Sequence, residues 1–91
     1  MPVLHISYAL EDPNRVEPLI VEVIKALGPS LKYAPGAWIV DAVYTANKAV
    51  EMLSELLGSG DRLLILTITP KRDWVMHGLS ERARDWLQRY L

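Results

Sequence analysis

The spacing of apolar residues along this chain switches between two periods, and the order of the switches admits few folds. Residues 3–10, Val-Leu-His-Ile-Ser-Tyr-Ala-Leu, alternate with period two, which predicts a half-buried strand. Leu4, Ile6, Tyr8 and Leu10 fall on one face, and Val3, His5, Ser7 and Ala9 on the other. Glu11-Asp12-Pro13-Asn14 breaks the pattern, with Asn14 a suitable helix cap. Val16, Leu19, Ile20, Val23, Ile24 and Leu27 then recur with helical spacing, and Pro18 places the regular helix from near Glu17. Gly28-Pro29 ends it.

Two apolar segments follow, Leu31-Lys32-Tyr33 and Trp38 to Tyr44, separated by Ala34-Pro35-Gly36-Ala37. Pro followed by Gly suits a type II turn, so the pair reads as a hairpin. Thr45 can cap a second helix carrying Ala46, Ala49, Val50, Leu53, Leu56 and Leu57, closed by Gly58-Ser59-Gly60. Residues 62–69 form a last strand that stops at Pro70, and Ser80 can cap a final helix with Leu79, Ala83, Trp86, Leu87 and Tyr90 on one side.

The order β-α-β-β-α-β predicts an α+β, ferredoxin-like domain: an antiparallel four-stranded sheet with two helices on one face, plus a C-terminal helix. Residues 1–70 form the core, and residues 71–91 a loop and helix belonging to the same single domain. The last strand is apolar on both faces, Leu64, Leu66 and Ile68 against Leu63 and Ile65. Two helices cover one face only, so the other needs the C-terminal helix or a second copy of the chain. A homodimer is expected, with His5, Ser7, Ile39 and Asp41 at its interface.

Composition narrows the function classes. A length of 91 residues fits one small domain, and the absence of cysteine excludes a disulfide scaffold, a thiolate metal site and a cysteine nucleophile. No apolar run approaches the ~20 residues of a membrane span, and Met1-Pro2-Val3-Leu4-His5 lacks signal-peptide features, so a cytoplasmic protein without a membrane partner is expected. Net charge is −1, but residues 61–91 carry six Lys/Arg against four Asp/Glu, whereas residues 1–60 carry four against seven. An anion-facing surface therefore belongs to the C-terminal third.

There, Lys71 and Arg72 with Arg82, Arg84 and Arg89, and Trp74 between them, form a candidate nucleic-acid or anion-binding patch. Asp73, Glu81 and Asp85 are interleaved, and a solvated, salt-bridged helix is the plainer reading. Glu11-Asp12 could be a displaced metal site, although carboxylates also favour a helix N-terminus. His5 beside Ser7 has no third orienting group and reads as a surface or interface residue. Asp41 interrupts an apolar strand and calls for a partner such as His5 or an Arg. His77 reads as packing or capping, and Trp38 and Trp86 as core. Gly58-Ser59-Gly60 follows a helix and so is not a phosphate loop. No residue pattern supports a small-ligand sensor.

His5-Ile6-Ser7-Tyr8, Trp38-Ile39-Val40-Asp41, Asp61-Arg62-Leu63, and Gly78-Leu79-Ser80-Glu81-Arg82-Ala83 with Trp86-Leu87 resemble a group of small bacterial and phage proteins labelled SinR-like. Their strand–helix plan is similar to that of the CRISPR-associated Cas-two proteins and the VapD toxins. The resemblance implies a ferredoxin-like dimer of prokaryotic or phage origin, related in fold to endonucleases. In those nucleases an Asp near the end of the first strand, in a Tyr-Asp pair, holds a divalent metal. This chain reads Tyr8-Ala9, and alanine offers no oxygen ligand for Mg²⁺ or Mn²⁺. The expectation is accordingly a dimeric binding protein without catalytic residues or cofactor, engaging a protein or nucleic acid. The alternative is an endoribonuclease that recruits Asp12 or Asp41 to hold Mg²⁺ or Mn²⁺.

Overall fold

The computed structural model describes residues 2–68 and 74–91. Strand β1 (Val3–Ala9) leads into helix α1 (Pro13–Leu27), then strands β2 (Ser30–Ala34) and β3 (Ala37–Asp41), helix α2 (Ala46–Ser54), strand β4 (Arg62–Ile68) and helix α3 (Glu81–Tyr90). The sheet order is β2-β3-β1-β4 with every neighbouring pair antiparallel. This is the ferredoxin-like βαββαβ arrangement, with α3 appended.

Register follows the alternation in the sequence. Ile6 lies opposite Trp38 on β3 and Ile65 on β4, whereas His5 lies opposite Ile39 and Leu66. Leu4, Ile6, Trp38 and Val40 pack with Val16, Ile20, Ile24 and Leu27 of α1 and with Ala49 and Leu53 of α2. Both crossover helices thus share one face of the sheet. The hairpin turn is Pro35-Gly36, with Gly36 at φ 69°, and a Cβ there would come within 2.5 Å of the Tyr8 carbonyl oxygen. Glycine is needed for the left-handed backbone and for that close approach.

Local chemistry sets the helix ends. The Thr45 hydroxyl accepts from the Lys48 N–H at 3.3 Å, and the Ser80 hydroxyl from the Ala83 N–H at 3.1 Å, so two of the three expected caps form, whereas Asn14 lies inside α1 and Asp12 takes the cap position. Helix α1 departs from expectation. It starts at Pro13, not near Glu17, and follows a non-helical Asp12 whose carbonyl accepts from Arg15 and Val16. A first-turn proline lacks an N–H that would have no partner there. Pro18 remains inside the helix on its solvent side, and Asn14, whose carbonyl loses that donor, is exposed to water.

The second face of the sheet is partly covered. Leu79, Leu87 and Leu91 meet Leu31, Tyr33 and Ile39 around a hollow of about 300 Å³, so α3 lies over the β2–β3 half. The β4 side keeps Leu64 and Leu66 at 53% and 50% exposure. Among the described residues, no helix is long and apolar enough to cross a membrane.

Candidate nucleic-acid interface

Helix α3 turns Ala83 and Leu87 inward. Its spacing places Trp86 and Tyr90 at the border of that face and Arg82 and Arg89 beyond it. The rings of Trp86 and Tyr90 lie 4.6 Å apart at 38°, a tilted stack. Arg82, Asp85, Trp86, Arg89 and Tyr90 together line an open hollow of about 340 Å³. Trp86 is therefore half-buried and not part of the core, unlike Trp38. The sequence spacing misled because Trp86 sits three residues from Ala83, at the edge of the apolar stripe, and an indole is too wide to be enclosed there.

Glu81 and Asp85 make no close ion pair with Arg82 or Arg89, although Asp85 shares the hollow with them, and Asp73 lies outside the described residues. Among the described residues the ion pairs are Arg15–Asp12 at 3.3 Å, Lys32–Glu17 at 3.6 Å and Lys48–Glu51 at 3.6 Å, and none involves α3. Arg82 and Arg89 thus keep their guanidinium donors available beside an aromatic pair. Trp74, expected among the basic residues, instead lines the hollow between α3 and the β2–β3 strands with His77. Lys71 and Arg72 of the expected patch lie outside the described residues.

The remaining candidates are placed separately. His5 bonds through Nε2 to the Tyr33 hydroxyl at 2.5 Å, while its Nδ1 is buried without a partner among the described residues. It pairs with neither Ser7 nor Asp41, so no Ser–His arrangement forms, and among the described residues Asp41 has neither His5 nor an Arg as the partner it was expected to need. Ser7 lies opposite Ala37 and Leu64, on the face left partly open. Ile39 lines the hollow beneath α3, and Asp41 is half-buried at the end of β3 opposite Val3.

Asp12 is exposed and engaged with Arg15, and follows the end of β1, whereas Asp41 lies opposite Val3 at its start. No group of three or more His, Asp and Glu residues among the described residues could hold a metal ion. The loop after β1 is organised by Asp61, which sequence reasoning did not single out. Its carboxylate accepts from the Gly58 N–H at 2.8 Å and the Glu11 N–H at 2.9 Å, and these two bonds hold its pKa below the ordinary carboxylate range. Glu11 lies against Gly60, where a Cβ would come within 1.6 Å of the Glu11 carboxylate. The signal was present as an Asp three residues after Gly58, the spacing of a side chain that closes a turn on its own backbone.

Tyr8, Trp38, Glu17 and Lys32 form a second unforeseen group. The Trp38 indole N–H donates to the Tyr8 hydroxyl at 3.1 Å, which donates to Glu17 at 3.1 Å, and Lys32 closes on Glu17. Burial, first, and the neighbouring Glu17 raise the Tyr8 pKa against the opposing Trp38 bond, so the phenol stays protonated. The group ties β1, β3 and β2 to α1.

Comparison with protein-family models, with characterised proteins and with solved structures gives no match to this chain.

Proposed function

We propose that the chain is a non-catalytic binding protein that works as a homodimer and engages nucleic acid through α3. The observation that carries the reading is the pair Arg82 and Arg89, free of carboxylate partners among the described residues, lining one hollow with the Trp86–Tyr90 stack. Guanidinium groups take phosphate oxygens, and the open part of a half-buried indole offers a platform to an unstacked base. A single strand presents both features together, so single-stranded RNA or DNA fits better than a duplex. Without a base-reading groove, the binding is sequence-tolerant.

Ala9 at the end of β1, Asp12 occupied by Arg15, and Asp41 on another strand supply no assembled ligand set, which favours binding over turnover. The prokaryotic or phage setting rests on the motif resemblance.

Titration of a fluorescent oligonucleotide tests this. Trp86→Ala should weaken binding about 5- to 150-fold, the equivalent of the ~1–3 kcal/mol that base stacking contributes. Arg82→Gln with Arg89→Gln should weaken all sequences alike and flatten the salt dependence by about one to two units of slope. Flat titrations with the wild-type protein overturn the reading. Cleavage of RNA with Mg²⁺ or Mn²⁺ that disappears in Asp12→Ala would replace it with the endoribonuclease alternative.

A further inference from the structure

We propose that β4 pairs antiparallel with the β4 of a second copy of this chain, about a twofold axis at Ile65, joining two four-stranded sheets into one of eight strands. This deepens the homodimer part of the function above and does not depend on α3.

Strand β4 is an edge strand. All seven of its residues pair with β1 in unbroken register, and among the described residues no backbone hydrogen bond reaches its other side. Edges that stay unpaired are blunted with proline, lysine, inward charges or bulges. Residues 63–68, Leu-Leu-Ile-Leu-Thr-Ile, contain none of these, and Arg62 supplies the only charge. The opposite edge is defended. Strand β2 carries Lys32 and loses register between Lys32 and Ala34. One open edge and one blunted edge lead to a closed pair of copies, because a growing filament would need both.

The residues of β4 select the occupant and its register. Pairing about Ile65 is the arrangement that uses the whole strand, Arg62 opposite Ile68 and Leu63 opposite Thr67. It sets Leu64 of each copy opposite Leu66 of the other. These two side chains are half exposed on the same sheet face, and directly opposed residues bring their Cβ atoms to about 4.5–5.5 Å. A shift by one residue would set a residue of the open face against one of the helix face and turn one sheet over. A shift by two toward the N-terminus would oppose Leu66 with Arg62. A second copy therefore covers its partner's leucines with its own and satisfies both rows of main-chain groups.

The absence of cysteine makes the test clean. Leu64→Cys and Leu66→Cys proteins, co-refolded and oxidised, should form the mixed disulfide. Either variant oxidised alone should cross-link at least tenfold less, because residues offset by two positions lie about 7–8 Å apart, beyond disulfide reach. Sedimentation equilibrium should give twice the monomer mass, and Leu66→Lys should give monomer with an unchanged circular dichroism spectrum. A wild-type monomer overturns both the homodimer and this pairing. A dimer that persists in Leu66→Lys, or homodisulfides forming as fast as the mixed one, overturns the β4 pairing alone. If Leu66→Lys fails to fold, the disulfide pattern still decides.

Discussion

Asp61 shows how one carboxylate can anchor two loops without being buried. Its two backbone donors belong to the segments after β1 and after α2, so the ends of the β1–β4 pair are tied through it. Because its folded pKa lies below the unfolded value of about 3.9, the stabilisation is complete above that pH and is lost as pH falls toward the folded value. Asp61→Ala should lower the thermal midpoint at pH 7 and lessen its further fall on acidification below about pH 4, both read by calorimetry. Residues of this kind were the least legible in the sequence. The core positions Leu4, Ile6, Ile20, Ile24 and Leu53 were read from periodicity alone, since burial follows the period. Asp61, His5 and Tyr8 each have a partner 28 to 50 residues away, and no local pattern announces those pairs.

At the scale of elements, the caps were legible where side chains bond within their own turn, as at Thr45 and Ser80. The start of α1 was not, because a proline at the first helical position competes as a signal with the polar residue after it. Helix α3 was predicted in place, and Arg82 and Arg89 were marked as its anion-facing residues. What the sequence did not reveal is that Glu81 and Asp85 form no close ion pair with them, because spacing on a helix permits an ion pair without enforcing one. Ser80→Ala should cost about 1 kcal/mol and fray the first turn of α3, visible as faster hydrogen exchange at Ala83. Oligonucleotide binding should weaken in the same variant, since Arg82 rides on that turn.

For the whole molecule, the sheet has two faces of different kinds: one sealed by α1 and α2, the other shared between α3 and an uncovered strip along β4. The apolar character of both faces of β4 was plain in the sequence, but how far α3 reaches was not, because docking depends on the length and path of the connection. A dimer links folding to protein concentration, so the thermal midpoint should rise as the protein is concentrated from about 1 to 100 μM in differential scanning calorimetry. A midpoint independent of concentration would mean that each copy is stable by itself.

The seat of β1 between β3 and β4 also bears on synthesis. A chain emerging from the ribosome delivers β1 first and its last neighbour only after some sixty further residues. Until then one side of β1 stays open, so the growing polypeptide carries a sticky border over the interval between the two strands, and chaperones have their clearest reason to bind it then.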